Sequence, residues 1–342
     1  MVKNMTEGKP LPLLFFFALP MVAGNLFQQL YNMVDTAVVG KFVGEDAVAA
    51  VGSSFPIVFL SVAVASGLSM GCNVVVSQLF GAKRIHEMKS TISTAIISLS
   101  VLGLIIMALG TLLAGPLLQL LGTDPDIMAD SQLYLRIYFG GAVFLFLYNT
   151  LNGIYNAQGD SRTPLIFLMI SSLTNIVLDV AFVAVLGMGV AGAALATTIA
   201  LYLSWLASIL YARRNYEGLQ FPLLPHGYDK AQLAAILKMG VPLGLNNSLY
   251  SVGHVAVQAV YNMQGSVFVA GCSIAGRVTG IAGIAITSFS SAAVVFAGQN
   301  LGAGNYRRLQ RGVVQITCAA GVVTLLIGLV ATVFCRPLLG LF

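Results

Sequence analysis

Nine apolar runs divide this chain almost from end to end, at about 13–37, 48–79, 92–121, 133–157, 164–186, 189–212, 233–262, 266–298 and 312–341. A hydrocarbon core about 30 Å thick needs roughly 20 apolar residues to be crossed by a helix, and each run is long enough. Transmembrane β-strands would alternate polar and apolar residues in segments of about ten. Runs such as IISLSVLGLIIMALGTLLAG (96–115) are instead continuously apolar, so the expected fold class is an all-α integral membrane protein. Charged residues make up only 8% of the 342, against about 25% in soluble domains, which excludes a water-soluble globule and a solvated disordered chain alike. The four cysteines, Cys72, Cys272, Cys318 and Cys335, lie far apart inside apolar runs. That excludes a disulfide-stapled secreted fold and any CxxC metal or redox motif. The first run continues through LPMVAGNLFQQLYNMVD with no small-residue cleavage site, so it reads as a span rather than a removable signal.

Nine spans alternate their loops across the membrane, and lysine and arginine concentrate on the cytoplasmic side. One side holds Lys3, Lys9, Lys83, Arg84, Lys89, Arg162, Arg213, Arg214, Lys230, Lys238, Arg307, Arg308 and Arg311, thirteen of the seventeen basic residues. The other side holds Lys41, Arg136 and Arg336, with an acidic loop TDPDIMAD (123–130) between the third and fourth spans. The N-terminus is therefore expected in the cytoplasm, with the protein in the plasma membrane. The net charge of +5 reflects this bias; no basic cluster interleaved with aromatics points to nucleic acid.

The chain also repeats. A shift of 221 residues lays SGLSMGCNVVVSQLFGA (66–82) on TSFSSAAVVFAGQNLGA (287–303), with identities at Ser69/Ser290, Val74/Val295, Gln78/Gln299, Gly81/Gly302 and Ala82/Ala303. The register holds at Gly44/Gly265, Val48/Val269 and Ala49/Ala270, and PLLQLLG (116–122) meets PLLGLF (337–342). Pro20 and Pro242 agree within one residue of the same shift. Duplicated halves are a common plan for transporters. The expected organisation is an N-terminal lobe of six spans (1–214), a polar, proline-bearing linker (215–229) and a partial C-terminal lobe of three spans (230–342). By that logic the sequence holds nine of an expected twelve helices, a C-terminally truncated repeat.

Ionisable groups at membrane depth are costly and point to function. Asp35, in YNMVD, follows Tyr31 by one helical turn, and Asp179, in TNIVLD, follows Asn175 by one turn; each acid thus shares a helix face with an oxygen-bearing neighbour. If the two faces meet, they form an all-oxygen site suited to a proton or a hard cation such as Na⁺. Thr197 and Thr198 of the sixth span, and Asn149 with Asn152 of the fourth, offer further oxygens. The competing interpretations are that Asp35 sits solvated near the end of its span and that the asparagines and threonines only bond between helices. Arg277 and His254 are read as structural, a snorkelling or paired arginine and a hydrogen-bonded histidine.

These residues bring a family into view. LPMVAGNLFQQLYNMVDTAVVGKFVGEDAVAAVG (19–52), GAKR (81–84), LGAGN (301–305), LNGIYNAQGDSRTP (151–164) and SLTNIVLDVAFV (172–183) together resemble the multidrug and toxic compound extrusion (MATE) family. The resemblance implies a two-lobe transporter of repeated six-helix bundles, and not an enzyme. It implies a cation site at Asp35, Asn175, Asp179 and Thr197, with Tyr31, Asn149 and Asn152 nearby, and a bend of the first helix at Pro20. The expected activity is antiport: H⁺ or Na⁺ entry driving export of small, often cationic, organic compounds by a monomer in the lipid bilayer, with no other cofactor. A flippase for a lipid-linked oligosaccharide precursor is the alternative, weakened because Arg277 is the only intramembrane cation. A membrane-embedded aspartyl protease is a remote third, since Asp179 lacks the GxGD context of such enzymes.

Overall fold

A chain in hydrocarbon must satisfy its backbone N–H and C=O groups within itself, which long helices do. A computed structural model describes residues 3–215, 227–262 and 266–333, and the apolar runs are helical throughout it. The helices are α1 (Pro10–Phe42), α2 (Glu45–Gly81), α3 (Ile85–Leu120), α4 (Pro125–Gly140), α5 (Ala142–Ala157), α6 (Arg162–Asp179), α7 (Gly189–Asn215), α8 (Lys230–Asn262), α9 (Ser266–Gly302) and α10 (Tyr306–Val333). A six-residue π-helical segment, Val180–Val185, extends α6. Among the described residues seven helices are long and apolar enough to cross a membrane, or eight when α4 and α5 are taken as one bent span. That differs from nine runs because α8, though helical, interrupts its run with Lys238, Asn246 and Asn247.

Two expectations change in detail. The run at 133–157 is two helices meeting at 50°, broken at Gly141, where a β-carbon would crowd Thr198 of α7. The acidic stretch read as a loop is the start of α4: Asp124 accepts from the Asp126 N–H at 3.0 Å and Pro125 takes the first helical position, a cap followed by a residue with no N–H to satisfy. By contrast α1 continues unbroken through Pro20.

Large apolar side chains cover the outside, with Leu120 83%, Val185 77% and Leu325 74% exposed, a surface that lipid and not water accepts. Packing inside is close. α2 lies along α8, and a β-carbon on Gly71 would come within 2.6 Å of Gly240 Cα and of the Ile236 carbonyl oxygen. One turn away, Gly67 and Gly244 meet in the same way, the small-residue contact that lets membrane helices touch backbone to backbone.

The 221-residue shift reappears as geometry. Lys83 is the one non-glycine residue with positive φ among those described (58°), and its counterpart Gly304 has φ 72°. The turns closing α2 and α9 share their hydrogen bonds: Ala82 N–H to Gln78 O at 2.9 Å and Ala303 N–H to Gln299 O at 3.0 Å, then Arg84 N–H to Leu79 O at 3.0 Å and Asn305 N–H to Asn300 O at 2.9 Å. The two helix ends also pack reciprocally. A β-carbon on Gly81 would strike Gln299, one on Gly302 would strike Gln78, and Ser77 faces its own counterpart Gly298. Contact of i with j and of j with i is the mark of a two-fold-related pair.

Gly71→Val should therefore cost about 1–3 kcal/mol or more through overpacking against backbone, read as a lower midpoint of thermal unfolding in detergent. Gly52→Ala, in the same helix where an added β-carbon meets nothing within 4 Å, should change stability by less than about 0.5 kcal/mol.

Candidate functional site

The two intramembrane acids come together. α1 runs to Phe42, five residues past the expected end of its apolar run, so Asp35 lies about 10 Å inside the helix end at 1.5 Å per residue. Asp179 stands at the same depth, at the junction where α6 passes into its π-helical segment. π-helical turns inside membrane helices frequently mark functional sites. The Asp35 and Asp179 side chains are within hydrogen-bonding reach of each other, and Asp179 is 0% exposed. Asp35 is half-buried, and its Oδ1 is shielded from solvent.

Asn175, one turn before Asp179 and 3% exposed, links the acids to α7. With its amide turned one way it donates to Asp179 Oδ2 at 3.2 Å and accepts from the Thr197 N–H at 3.3 Å; turned the other way it donates to Thr197 Oγ1 at 3.4 Å. The first orientation gives the buried carboxylate a donor, which makes it the better satisfied of the two. Thr197 Oγ1 itself donates to the Ala193 carbonyl at 3.1 Å. Tyr31 stands one helical turn before Asp35 in α1.

Of the residues expected nearby, Asn152 stands beside the Tyr148 hydroxyl, and its buried Oδ1 has no hydrogen-bond partner. Asn149 uses its side-chain amide on its own helix, donating to Leu145 O (2.8 Å), and its backbone carbonyl accepts from Ser69 of α2. Thr198 donates to the Ile137 carbonyl at 3.4 Å, at the α4–α5 bend. His254 and Arg277 lie outside the residues whose side chains are described.

Two tyrosines join the residues that the sequence singles out. Tyr134 and Tyr138 of α4 are buried and stack at 6.2 Å between ring centroids. Their one-turn spacing was a usable signal, since a phenol inside an apolar helix needs a polar neighbour. Two acceptor atoms of the pair, Asp35 Oδ1 and Asp179 Oδ1, are buried with no hydrogen-bond partner. Burying such atoms costs free energy unless something positive or protic reaches them. A proton or a small hard cation meets that requirement, with carboxylate, amide and hydroxyl oxygens around it. Among the described residues no three histidine, cysteine or acidic side chains gather as a metal cluster.

Comparison with known proteins agrees with this architecture. The MatE family model matches residues 20–181 and 242–342, two segments that open on Pro20 and Pro242. The chain is 31% identical over 337 residues to the Bacillus subtilis (strain 168) protein named probable multidrug resistance protein YoeA, covering 95% of this chain and 72% of that one. It is also 31% identical over 307 residues to probable multidrug resistance protein YpnP of the same organism, covering 90% and 68%. A solved structure described as the outward-facing conformation of a multidrug resistance MATE family transporter superposes with a TM-score of 0.92 at 24% identity, covering 98% of this chain and 75% of that one. That likeness speaks to the fold.

Asn175→Leu keeps the volume of the side chain but removes the donor to Asp179. It should destabilise the purified protein by about 1–3 kcal/mol, the cost of an unsatisfied buried polar group, measured by thermal unfolding in detergent. An unchanged midpoint would contradict the bonded arrangement.

Proposed function

This chain belongs to the MatE family of multi-pass membrane transporters, which are not enzymes, and from that premise we propose that it is a cation-coupled antiporter exporting small organic compounds, many of them cationic. The observation that carries the reading is the contact of Asp35 with Asp179 beside two unpartnered carboxylate oxygens. An ion drives a conformational cycle only if it binds one state better than another. Two acids held together in low dielectric repel unless a proton or Na⁺ neutralises them, so a state that presses α1 against α6 favours the bound ion. A state that lets the two helices separate releases it. H⁺ and Na⁺ both serve this chemistry, and no other cofactor enters it.

The reading includes a placement. The end of the bundle bearing Lys83, Arg84, Arg162, Arg213, Arg214, Arg307 and Arg308 faces the cytoplasm of a plasma-membrane protein that works as a monomer, following the distribution of basic residues. The acids then lie in the outer part of the membrane, where an ion entering from outside reaches them first. It also includes two lobes, 1–214 and 230–342, joined by the linker 215–229, of which residues 216–226 lie outside the described residues. The reciprocal contacts of Gly81 with Gln299 and of Gly302 with Gln78 support that division. Paired carboxylates also serve aspartyl hydrolysis, but membership of a transporter family leaves that reading without support.

Asp179→Asn keeps the shape of the side chain and removes its charge. In proteoliposomes with an imposed Na⁺ or H⁺ gradient, it should lower ion-driven efflux of a fluorescent organic cation by about 5- to 150-fold, the range of a 1–3 kcal/mol coupling free energy, while membrane insertion stays intact. Efflux equal to the unsubstituted protein would rule out the coupling role of this acid.

A further inference from the structure

The segment before α1 is ordered by more than its own chain. Within it Asn4 Oδ1 accepts from the Thr6 N–H at 3.0 Å and from Thr6 Oγ1 at 2.6 Å, and Asn4 Nδ2 donates to Glu7 Oε1 at 3.2 Å. Gly8, at φ 77°, turns the chain into α1. This built turn lies across the seam between the two halves. On one side it rests on the α5–α6 turn, where a β-carbon on Gly159 would strike the Lys3 backbone. On the other side it is gripped by α9 and α10. Asn300 Nδ2 donates to the Met5 carbonyl at 3.1 Å, and Arg308 donates to the carbonyls of Met5, Glu7 and Gly8 while lying 5.5 Å from the Phe296 ring centroid.

Gln299, 0% exposed, ties three parts at once. Its Oε1 accepts from the Met5 N–H at 2.9 Å, and its Nε2 donates to the Ala157 carbonyl at the end of α5 at 2.8 Å. The Met5 side chain, also 0% exposed, fills a cluster with Leu14 and Phe17 of α1 and Phe289, Val295 and Phe296 of α9. The segment before α8 does the same in the opposite direction: the Asp229 N–H donates to Thr94 Oγ1 at 3.1 Å and Ser93 Oγ to Gly227 O at 3.1 Å, and in the first turn of α8 Gln232 Oε1 accepts from Thr91 Oγ1 at 2.8 Å, all three partners lying on α3 of the first half. Each half sends the arm preceding its first helix across to the other, at the same end of the bundle.

We propose that Lys3–Gly8 is a latch that holds the basic end of the carrier closed, clamped by Gln299, Asn300 and Arg308, and that each transport cycle requires its release. Any opening that parts α9 from α5 at this end breaks the Gln299 bridge and uncovers Met5. The clamp is polar, and water at the membrane surface can replace its bonds, so it can open and re-form. Helix α1 connects the latch to the acids. Its lower part docks on α9, where Asn25 Nδ2 donates to Ser288 Oγ at 3.0 Å, and its upper part carries Asp35 to α6, so a shift of α1 at the acids is delivered to the strap. The inference goes beyond the antiport reading and requires only that the carrier opens to both sides.

The test places Met5→Cys in full-length chain in which Cys72, Cys272, Cys318 and Cys335 are replaced by alanine, and follows the rate of maleimide labelling in proteoliposomes. A closed latch protects the thiol. Arg308→Ala should raise the labelling rate by about tenfold or more, as expected when a local opening replaces a buried state. Turnover, with an ion gradient and a fluorescent organic cation, should raise it in protein with the clamp intact. A rate that turnover leaves unchanged, or that Arg308→Ala leaves unchanged, would overturn the proposal. Amide exchange at Met5 in the unsubstituted chain gives the same answer without cysteine replacement: slow at rest and faster in turnover if the latch opens, unchanged if it does not. Efflux measured in the same vesicles separates the two proposals. Ion-driven efflux with Met5 protected throughout sinks the latch alone; efflux indifferent to the ion with Met5 uncovered in turnover sinks the coupling alone.

Discussion

Hydrocarbon offers no hydrogen bond, so each backbone group here must find its partner inside the chain, and each buried polar side chain must find one or carry a cost. The helices follow from the first demand. The second makes the exceptions informative: Asp35 and Asp179 are held where a charge is least tolerated, with Asn175 supplying one donor and two carboxylate oxygens left for something positive. In the proposed cycle such a pair is a two-state element: neutralised, it would let α1 and α6 sit close; bare, it would drive them apart.

That local preference reaches the rest of the molecule because α1 belongs to two neighbourhoods. Above, it meets α6 and the π-helical segment; below, it packs on α9 and α10 through Leu14, Phe17 and Asn25. The glycine contacts of Gly67 and Gly71 with Gly244 and Gly240 keep the halves in backbone contact along α2 and α8. The polar bridges, in contrast, gather at the basic end around Gln299 and Arg308.

Much of this was legible in the sequence, and for physical reasons. Continuous apolar runs predict helices because hydrocarbon tolerates little else, and the pairing of Tyr31 with Asp35 and of Asn175 with Asp179 follows from helical spacing. The 221-residue shift pointed to Gln299 and Gly302 as counterparts of Gln78 and Gly81, and those residues pack reciprocally. The break at Gly141 was not legible, since a lone glycine in an apolar run reads as packing, and the close neighbour that admits no β-carbon there, Thr198, is on another helix. Helical spacing gives the face of a side chain but not whether its amide is already used on its own turn, as that of Asn149 is on the Leu145 carbonyl. The tyrosines of α4 were missed because stacked aromatics one turn apart look like ordinary core.

In the proposed cycle everything turns on the exchange of a cation at the acid pair against the exported compound. It is tested most directly by watching both partners bind to purified protein in weakly buffered detergent solution, with a pH indicator or a Na⁺-selective electrode following the ion as a fluorescent organic cation is added. Dye binding should release H⁺ or Na⁺, and raising the released ion's concentration should weaken dye binding by the same factor, as linkage requires. Dye that binds with no release of either ion, and with an affinity independent of both, would contradict the exchange.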